Sequence, residues 1–258
     1  MQSNSIVCRV CGEASDFLCT GNLLGNPVRY FECPSCEYVQ TEQPYWLDKA
    51  YASAITSADT GIMTRNISNA KIVISTLLVL GRIHSKVLDY AGGHGILVRL
   101  LRDYGVDALW SDRYCTNLVA RGFEHNNESV GLVTAFEAFE HFTDPCHELD
   151  RMLMASSSVI ISTLLIPKPT PNPAEWWYYG LEHGQHIGFF RSTTLMKIAA
   201  DRGMRFYTNG SDYHVITKEK FNGVLWRMAI RWRFLAPLLC KPFLKSLTWV
   251  DHLQFLRK

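Results

Sequence analysis

Long apolar runs are missing from this 258-residue sequence. Residues 72–80 are apolar but too few to cross a bilayer, and residues 224–240 are interrupted by Arg227, Arg231 and Arg233, so no membrane span is expected. Residues 1–7 hold neither a basic residue nor an apolar stretch, so no secretory signal is visible and a cytoplasmic location is expected. No internal repeat is evident. Charge of one sign is also lacking: 26 Lys and Arg stand against 24 Asp and Glu, which excludes a molecule built throughout to grip a polyanion. What charge asymmetry exists sits at one end. Residues 218–258 carry nine basic and two acidic side chains, net +7, and leave −5 for the rest. A hydrophobic share of 47% and a charged share of 19% belong to a core-forming globular chain.

Cysteine is present, in an informative arrangement. Cys8 and Cys11 form one Cys-x-x-Cys knuckle, Cys33 and Cys36 a second, with 21 residues between them. In a reducing compartment such thiols are metal ligands before they are disulfides. Four thiolates at this spacing close a tetrahedral zinc site, and a site filled by four thiolates is structural because no position stays open. Residues 27–32 read as a strand entering the second knuckle, as in a zinc ribbon. Cys19, Cys115, Cys146 and Cys240 have no partner spacing and read as packing residues.

The centre of the chain is the stretch 86–95. Val87 and Leu88 begin a buried strand, Asp89 and Tyr90 end it, and Ala91, Gly92, Gly93 and Gly95 form a tight turn. A helix follows, with Leu97, Leu100, Leu101 and Tyr104 on one face and Gly105 as its stop. Such a strand, turn and helix make the first unit of a nucleotide-binding α/β fold, in which Gly93 and Gly95 let a ligand approach the backbone. Residues 106–112 read as a second strand ending in Asp112, 17 residues after Gly95, near the spacing of a carboxylate that accepts from ribose hydroxyls.

The pattern Asp-x-Ala-x-Gly-x-Gly resembles motif I of class I S-adenosylmethionine (SAM)-dependent methyltransferases, with Ala91 in place of the usual first glycine. The resemblance implies a Rossmann-like α/β sheet, with Asp89, Tyr90, Ala91, Gly93, Gly95 and Asp112 on the cofactor. An acid at the strand end suits the SAM ammonium. Arg65, in the polar stretch 59–66, either meets the SAM carboxylate or is a solvated residue of a helix start capped by Asp59 or Thr60. Residues 113–129 are too few for both a helix and a third strand, so one of these is reduced to a loop.

Strand 130–136 leads into Glu137-Ala138-Phe139-Glu140-His141, similar to the segment after the fourth strand of small-molecule methyltransferases. Glu137 and His141 are pocket candidates there, or helix caps. After a fifth strand at 159–163, alternate prolines from Pro167 to Pro173 make a stiff extended strap. It delivers Trp176, Trp177, Tyr178, Tyr179, Glu182, His183 and His186. This cluster is either a hydrophobic plug or an acceptor-site lid in which His186, His183, Glu182 or His141 acts as general base. Ser192 is read as the cap of the next helix. Methyltransferases with a zinc-binding N-terminal module include C-methyltransferases of nucleotide-linked deoxysugars, whose Glu-His pair near tyrosines looks similar to 178–183.

The expected organisation is a zinc ribbon over 1–45, a helical connector over 46–84 contributing to the cofactor pocket, a SAM-binding core over 85–217 and a basic helical tail over 218–258. The expected acceptor is a small polar intermediate related to a sugar. In residues 221–239, Val224, Leu225, Met228, Trp232 and Leu235 recur at helical spacing among arginines. That pattern suits either packing on the acidic body or an anionic membrane surface carrying a lipid-linked acceptor. An RNA methyltransferase is disfavoured, since residues 1–45 hold only Arg9 and Arg29 as basic residues. A non-catalytic SAM- or zinc-binding interaction protein is the other alternative.

Overall fold

The computed structural model describes residues 4–51 and 59–256. The strands are β1 (Ser5–Val7), β2 (Ala14–Leu23), β3 (Asn26–Glu32), β4 (Val39–Thr41), β5 (Val87–Tyr90), β6 (Ala108–Ser111), β7 (Leu132–Phe136), β8 (Ser158–Ser162), β9 (Gly188–Phe189), β10 (Arg205–Thr208) and β11 (Tyr213–Thr217). The helices are α1 (Leu47–Ala50), α2 (Ile62–Val79), α3 (Ile96–Asp103), α4 (Pro145–Ala155), α5 (Ser192–Ala200), α6 (Gly223–Arg231), α7 (Ala236–Cys240) and α8 (Thr248–Leu256). One sheet runs β1-β2-β3-β4-β9; the other has the order β10-β11-β8-β7-β5-β6, with β5 parallel to both β6 and β7. The mixed α/β class, the N-terminal cysteine-bearing sheet and the helical C-terminus agree with expectation.

The chain divides into two units, each assembled from separate stretches: Met1–Thr56 with Glu137–Arg151 and Ile161–Ile216, and Ser57–Phe136 with Met152–Ile160 and Thr217–Lys258. In the first unit, a strand pairing absent from the sequence reading joins stretches far apart in the chain. β9 joins the ribbon antiparallel to β4, with Val39 opposite Phe189 and Gln40 opposite Gly188. The hairpin β2–β3 turns at Leu24 and Gly25, both left-handed (φ 52 and 82), as a two-residue hairpin turn requires. Its inner face (Leu23, Val28, Tyr30) packs with Val39, Ile166, Tyr178, Tyr179, Ile187 and Phe189 in one buried cluster. The proline strap is pinned by the buried Arg191, which donates to the carbonyls of Ile166 and Pro167, to Thr170 Oγ1 and to Glu32 Oε1.

In the second unit, α2 is buried at Asn69, Ala70 and every position from Ile72 to Leu77. It receives α6, whose Trp226 is fully buried and donates from Nε1 to Thr76 Oγ1 at 3.0 Å. α8 is held to α3 by Asp251, which accepts from Arg99 and twice from Arg102. Gly105 closes α3 in the left-handed conformation (φ 91), and a Cβ there would meet the Lys245 carbonyl oxygen at 2.5 Å.

Three local expectations need correction. Among residues 113–129 neither a helix nor a strand forms; Asp112, Asn117, Glu124 and Glu128 side chains satisfy the backbone in turns instead. Ser192 is not the cap of α5, since the preceding Arg191 N–H donates to Thr194 Oγ1. Neither Asp59 nor Thr60 caps α2, which starts after Gly61 without a side-chain cap. Residues 52–58 of the expected helical connector lie outside the described residues.

Candidate functional site

The glycine turn lies in the second unit. β5 is buried through Asp89, and three of the next residues then take left-handed conformations: Ala91 (φ 60), Gly93 (φ 55) and Gly95 (φ 89). A Cβ at Gly95 would fall 2.7 Å from Asn117 Oδ1, so this position needs glycine on both conformational and steric grounds. β6 latches the turn twice. Asp112 Oδ2 accepts from Gly93 N–H at 2.9 Å, and Trp110 Nε1 donates to the Gly93 carbonyl at 2.9 Å. The other Asp112 oxygen accepts from the N–H groups of Tyr114 and Cys115. Asp112 is thus a clasp for the turn, and three bonds leave part of a carboxylate's accepting capacity open.

Asp89 is buried, and its Oδ1 accepts from Thr134 Oγ1 at 2.7 Å. Burial pushes its carboxyl up to about 7, against the hydrogen bond that lowers it. Such a group fits a cationic ligand, which would draw off the proton. A Cβ built at Gly93 meets nothing within 4 Å, so the turn has open space on that side. Tyr90 is half-buried beside them. Arg65 is held by Asp59, with Nη2 2.7 Å from each carboxylate oxygen.

The first unit carries the second group of candidates. A 3-10 turn over Phe139–His141 follows Glu137, which is exposed at a left-handed φ of 51 and bonded to Ser162 Oγ through both its N–H and Oε1. A left-handed φ in a residue with a long side chain is strain of the kind that gathers at functional sites. The rings of His141 and His186 lie 5.0 Å apart, and those of His183 and His186 4.8 Å apart. His186 Nδ1 is 2.5 Å from the Tyr178 carbonyl, an acceptor only, so Nδ1 carries the proton and Nε2 is bare. His183 differs: its Nδ1 accepts from Gln185 N–H, which spends its basic lone pair. Tyr51 OH pairs with His141 Nδ1 at 3.1 Å.

Burial lowers His186 to about 4, and it holds His141 well below the usual range, helped by the neighbouring imidazoles. Both rings are neutral at pH 7. Glu182 is exposed, reaching His183 and His186 only through its charge. Sequence reading did not commit to Glu140 or Tyr178. Tyr178 OH accepts from Leu164 N–H and donates to Glu140 Oε1 at 2.7 Å, while burial pushes the fully buried Glu140 carboxyl up to about 7. The available signal was the ionisable pair Glu140-His141 between Phe139 and Phe142, an acid inside an apolar run. The tyrosines of the expected lid are core: Tyr179 packs edge-on to Tyr30 at 5.1 Å, and Trp177 alone of the four rings is largely exposed.

Cys8, Cys11, Cys33 and Cys36 come together as expected. The Cys8 and Cys36 sulfurs are 3.6 Å apart, those of Cys11 and Cys33 3.4 Å apart, and all four lie within 4.8 Å of one another. Tetrahedral zinc with bonds of about 2.3 Å separates its sulfurs by about 3.8 Å, so the donor set fits the metal. Burial raises the thiols of Cys19, Cys115, Cys146 and Cys240, which suits packing residues.

In the tail, Trp226 and Ile230 face inward, whereas Val224, Leu225, Met228, Trp232 and Leu235 are 40–56% exposed. The apolar stripe legible in the sequence is therefore the outer face. No helix among the described residues is long and apolar enough to cross a membrane.

No curated protein matches the chain. Among solved structures it is similar to TnmH (18% identity over 69% of this chain and 62% of that one, TM-score 0.47). It is also similar to magnesium protoporphyrin IX methyltransferase (ChlM) from Synechocystis PCC 6803 with bound SAM (14%, 67% and 89%, 0.44). A third is an O-methyltransferase family protein from Burkholderia thailandensis (14%, 72% and 66%, 0.46). The chain spans 62% of the length of TnmH. A family model described as a methyltransferase domain matches residues 63–208, which include the latched turn, Asp112, Glu140, His141 and His186. That stretch is more than half of the sequence, and the chain belongs to the methyltransferase-domain family.

Proposed function

We propose that this protein transfers the methyl group of SAM to a small polar biosynthetic intermediate, a sugar or a nucleotide- or lipid-linked sugar. The latched turn of residues 89–95 carries the reading. It offers left-handed backbone with open space at Gly93, and a buried carboxyl at Asp89 suited to the SAM ammonium. Asp112 retains accepting capacity for a ribose hydroxyl. Arg65 reaches a SAM carboxylate only by exchanging Asp59 for it. SAM supplies an electrophilic methyl on a sulfonium, and the protein's part is mostly to hold an acceptor in line with it.

The cluster of Glu140, His141, His183 and His186 is the group that relieves the acceptor of its proton, with the bare Nε2 of His186 at its centre. Its density of donors and acceptors suits a hydroxyl-rich acceptor. Zinc in the four-cysteine site is structural.

Titration calorimetry with SAM, together with methyl transfer from labelled SAM to candidate sugars, tests the reading. Wild type should bind SAM. Asp112→Ala should weaken binding by about 1–3 kcal/mol, the worth of a charged hydrogen bond. Absence of any heat with SAM or its demethylated product removes the proposal.

The outward apolar residues of α6 and of the turn that follows it support a further part of the same reading, peripheral association with an anionic membrane. Exposed Trp232 and Leu235 stand beside Arg227 and Arg231 in a segment of net +7. The protein should co-sediment with anionic vesicles at low salt and leave them at high salt. Failure to sediment assigns the acceptor to solution.

A further inference from the structure

Three ligand-type side chains of the first unit meet apart from the four cysteines. One ligand atom each from Glu140, His141 and His186 lie within 4.8 Å of one another. The hydrogen bonds around them have a direction. His186 gives its Nδ1–H to the Tyr178 carbonyl, leaving Nε2 as a free lone pair. Tyr178 OH is held by Leu164 N–H and donates to Glu140 Oε1. One residue therefore orients two of the three candidate ligands, in the manner of the outer partners of metal-bound histidines and carboxylates.

The remaining oxygen, Glu140 Oε2, has no hydrogen-bond partner among the described residues, although Glu140 is 0% exposed. A buried, unpartnered carboxylate oxygen is costly, and a cation is the partner that would relieve it. The peptide N–H of Ile187 donates to the Glu140 carbonyl, which fixes the His186 loop against the Glu140 turn.

We propose that Glu140, His141 and His186 bind one divalent transition-metal ion of the zinc type. Two imidazoles and one carboxylate are a donor set for zinc, cobalt, iron or manganese, and a poor one for magnesium or calcium, which take oxygen. Metal bonds of about 2.0–2.2 Å need ligand atoms about 3–4 Å apart, so closure moves these side chains by less than about 1 Å. Three protein ligands leave coordination positions open, unlike the closed four-cysteine site. An ion there would use the Nε2 lone pair of His186 as a ligand, so in the loaded protein the ion, in place of that imidazole, would make an oxygen bound at an open position easier to deprotonate. That role rests on the methyltransferase reading above; the ion site does not.

The test is a metal count on the intact protein. Wild type loaded with a single equivalent of zinc, which the four thiolates take first, and titrated with cobalt(II) should take up one further equivalent with visible d–d absorption and no added thiolate charge transfer. Glu140→Gln and His186→Asn should each weaken that equivalent by about 100-fold or more while the cysteine-bound metal stays, which also reports that the ribbon is folded. A total that stays at one metal equivalent in wild type, with no cobalt taken up, overturns the proposal, as does cobalt bound equally by both variants. If a variant loses its ribbon metal as well, X-ray absorption at the zinc edge of two-zinc wild type decides. Imidazole nitrogen scattering beside sulfur is expected, and sulfur alone overturns the site. Two equivalents without SAM binding would sink the methyltransferase reading and leave the ion site standing; SAM binding with a single equivalent would do the reverse.

Discussion

Removal of the Asp251 carboxylate should be among the most damaging single changes in the second unit. Asp251 accepts from Arg102 Nε at 2.9 Å and Nη2 at 2.8 Å, and from Arg99 Nη2 at 2.8 Å. The Asp251 and Arg102 side chains are only 4% and 7% exposed. Burial pushes the Asp251 carboxyl upward, but the two guanidiniums outweigh it and hold it below its usual range. Arg102 Nη1 also reaches Asp107, whose side chain is 42% exposed, and the Phe123 ring lies 3.7 Å from its guanidinium carbon. Breaking a buried pair on one side leaves a buried charge and costs about 3–5 kcal/mol. Asp107 retains part of the compensation, so Asp251→Ala should cost about 3 kcal/mol. At roughly 2–4 °C per kcal/mol for a chain of this size, the melting temperature should fall by about 6–12 °C. Urea unfolding followed by tryptophan fluorescence measures the change, and the Arg102→Met/Asp251→Leu pair should cost less than Asp251→Ala alone. A loss below about 1 kcal/mol would mean that α8 is not held by this pair, and the reasoning fails.

Ala91→Gly should stabilise the fold by about 0.5–1 kcal/mol, because a left-handed φ of 60 burdens any residue with a Cβ; equal or lower stability in denaturant melts would show that the turn is unstrained. His214 is buried, with Nε2 donating to the Thr163 carbonyl and Nδ1 accepting from Thr208, and burial lowers it to about 4. Its folded pKa lies below the unfolded 6.5, so its contribution is complete above pH 6.5 and is lost as pH falls toward 4, by about 3 kcal/mol. His214→Gln should flatten that part of the stability profile, and an unchanged acid slope would refute the assignment. Cys33→Ser should release the zinc and, through the β4–β9 pairing, raise protease cleavage near residue 188 as well as in the ribbon; mass mapping that finds cuts before residue 45 alone would contradict the shared sheet.

The glycine turn was legible because its chemistry is local. Strand residues, small residues and the acid at position 89 follow one another, and backbone conformation at a turn is decided within a few residues. The four cysteines were legible for the same reason, since the Cys-x-x-Cys spacing leaves few alternatives. The role of Asp112 was read from spacing alone, and spacing could not disclose that both its oxygens serve the backbone. Glu140 and Tyr178 are 38 residues apart, and their hydrogen bond depends on how the proline strap returns. No periodicity encodes such a contact. The tail shows the opposite case. Its apolar stripe was read correctly as a stripe, but Trp226 and Ile230, four residues apart, took the inner face because they fit against α2.

The β4–β9 pairing also bears on how the chain leaves the ribosome. Val39, Gln40 and Thr41 are fully buried in the finished fold, and the strand that covers them is made about 150 residues later. At about 5–20 residues per second, β4 waits for roughly 7–30 seconds as an open sheet edge with an apolar residue on it. The four-cysteine cluster can assemble early in translation, whereas the sheet it belongs to cannot. A nascent chain stopped short of residue 188 would therefore present a folded but uncovered edge, and self-association during synthesis is the hazard built into this order of segments.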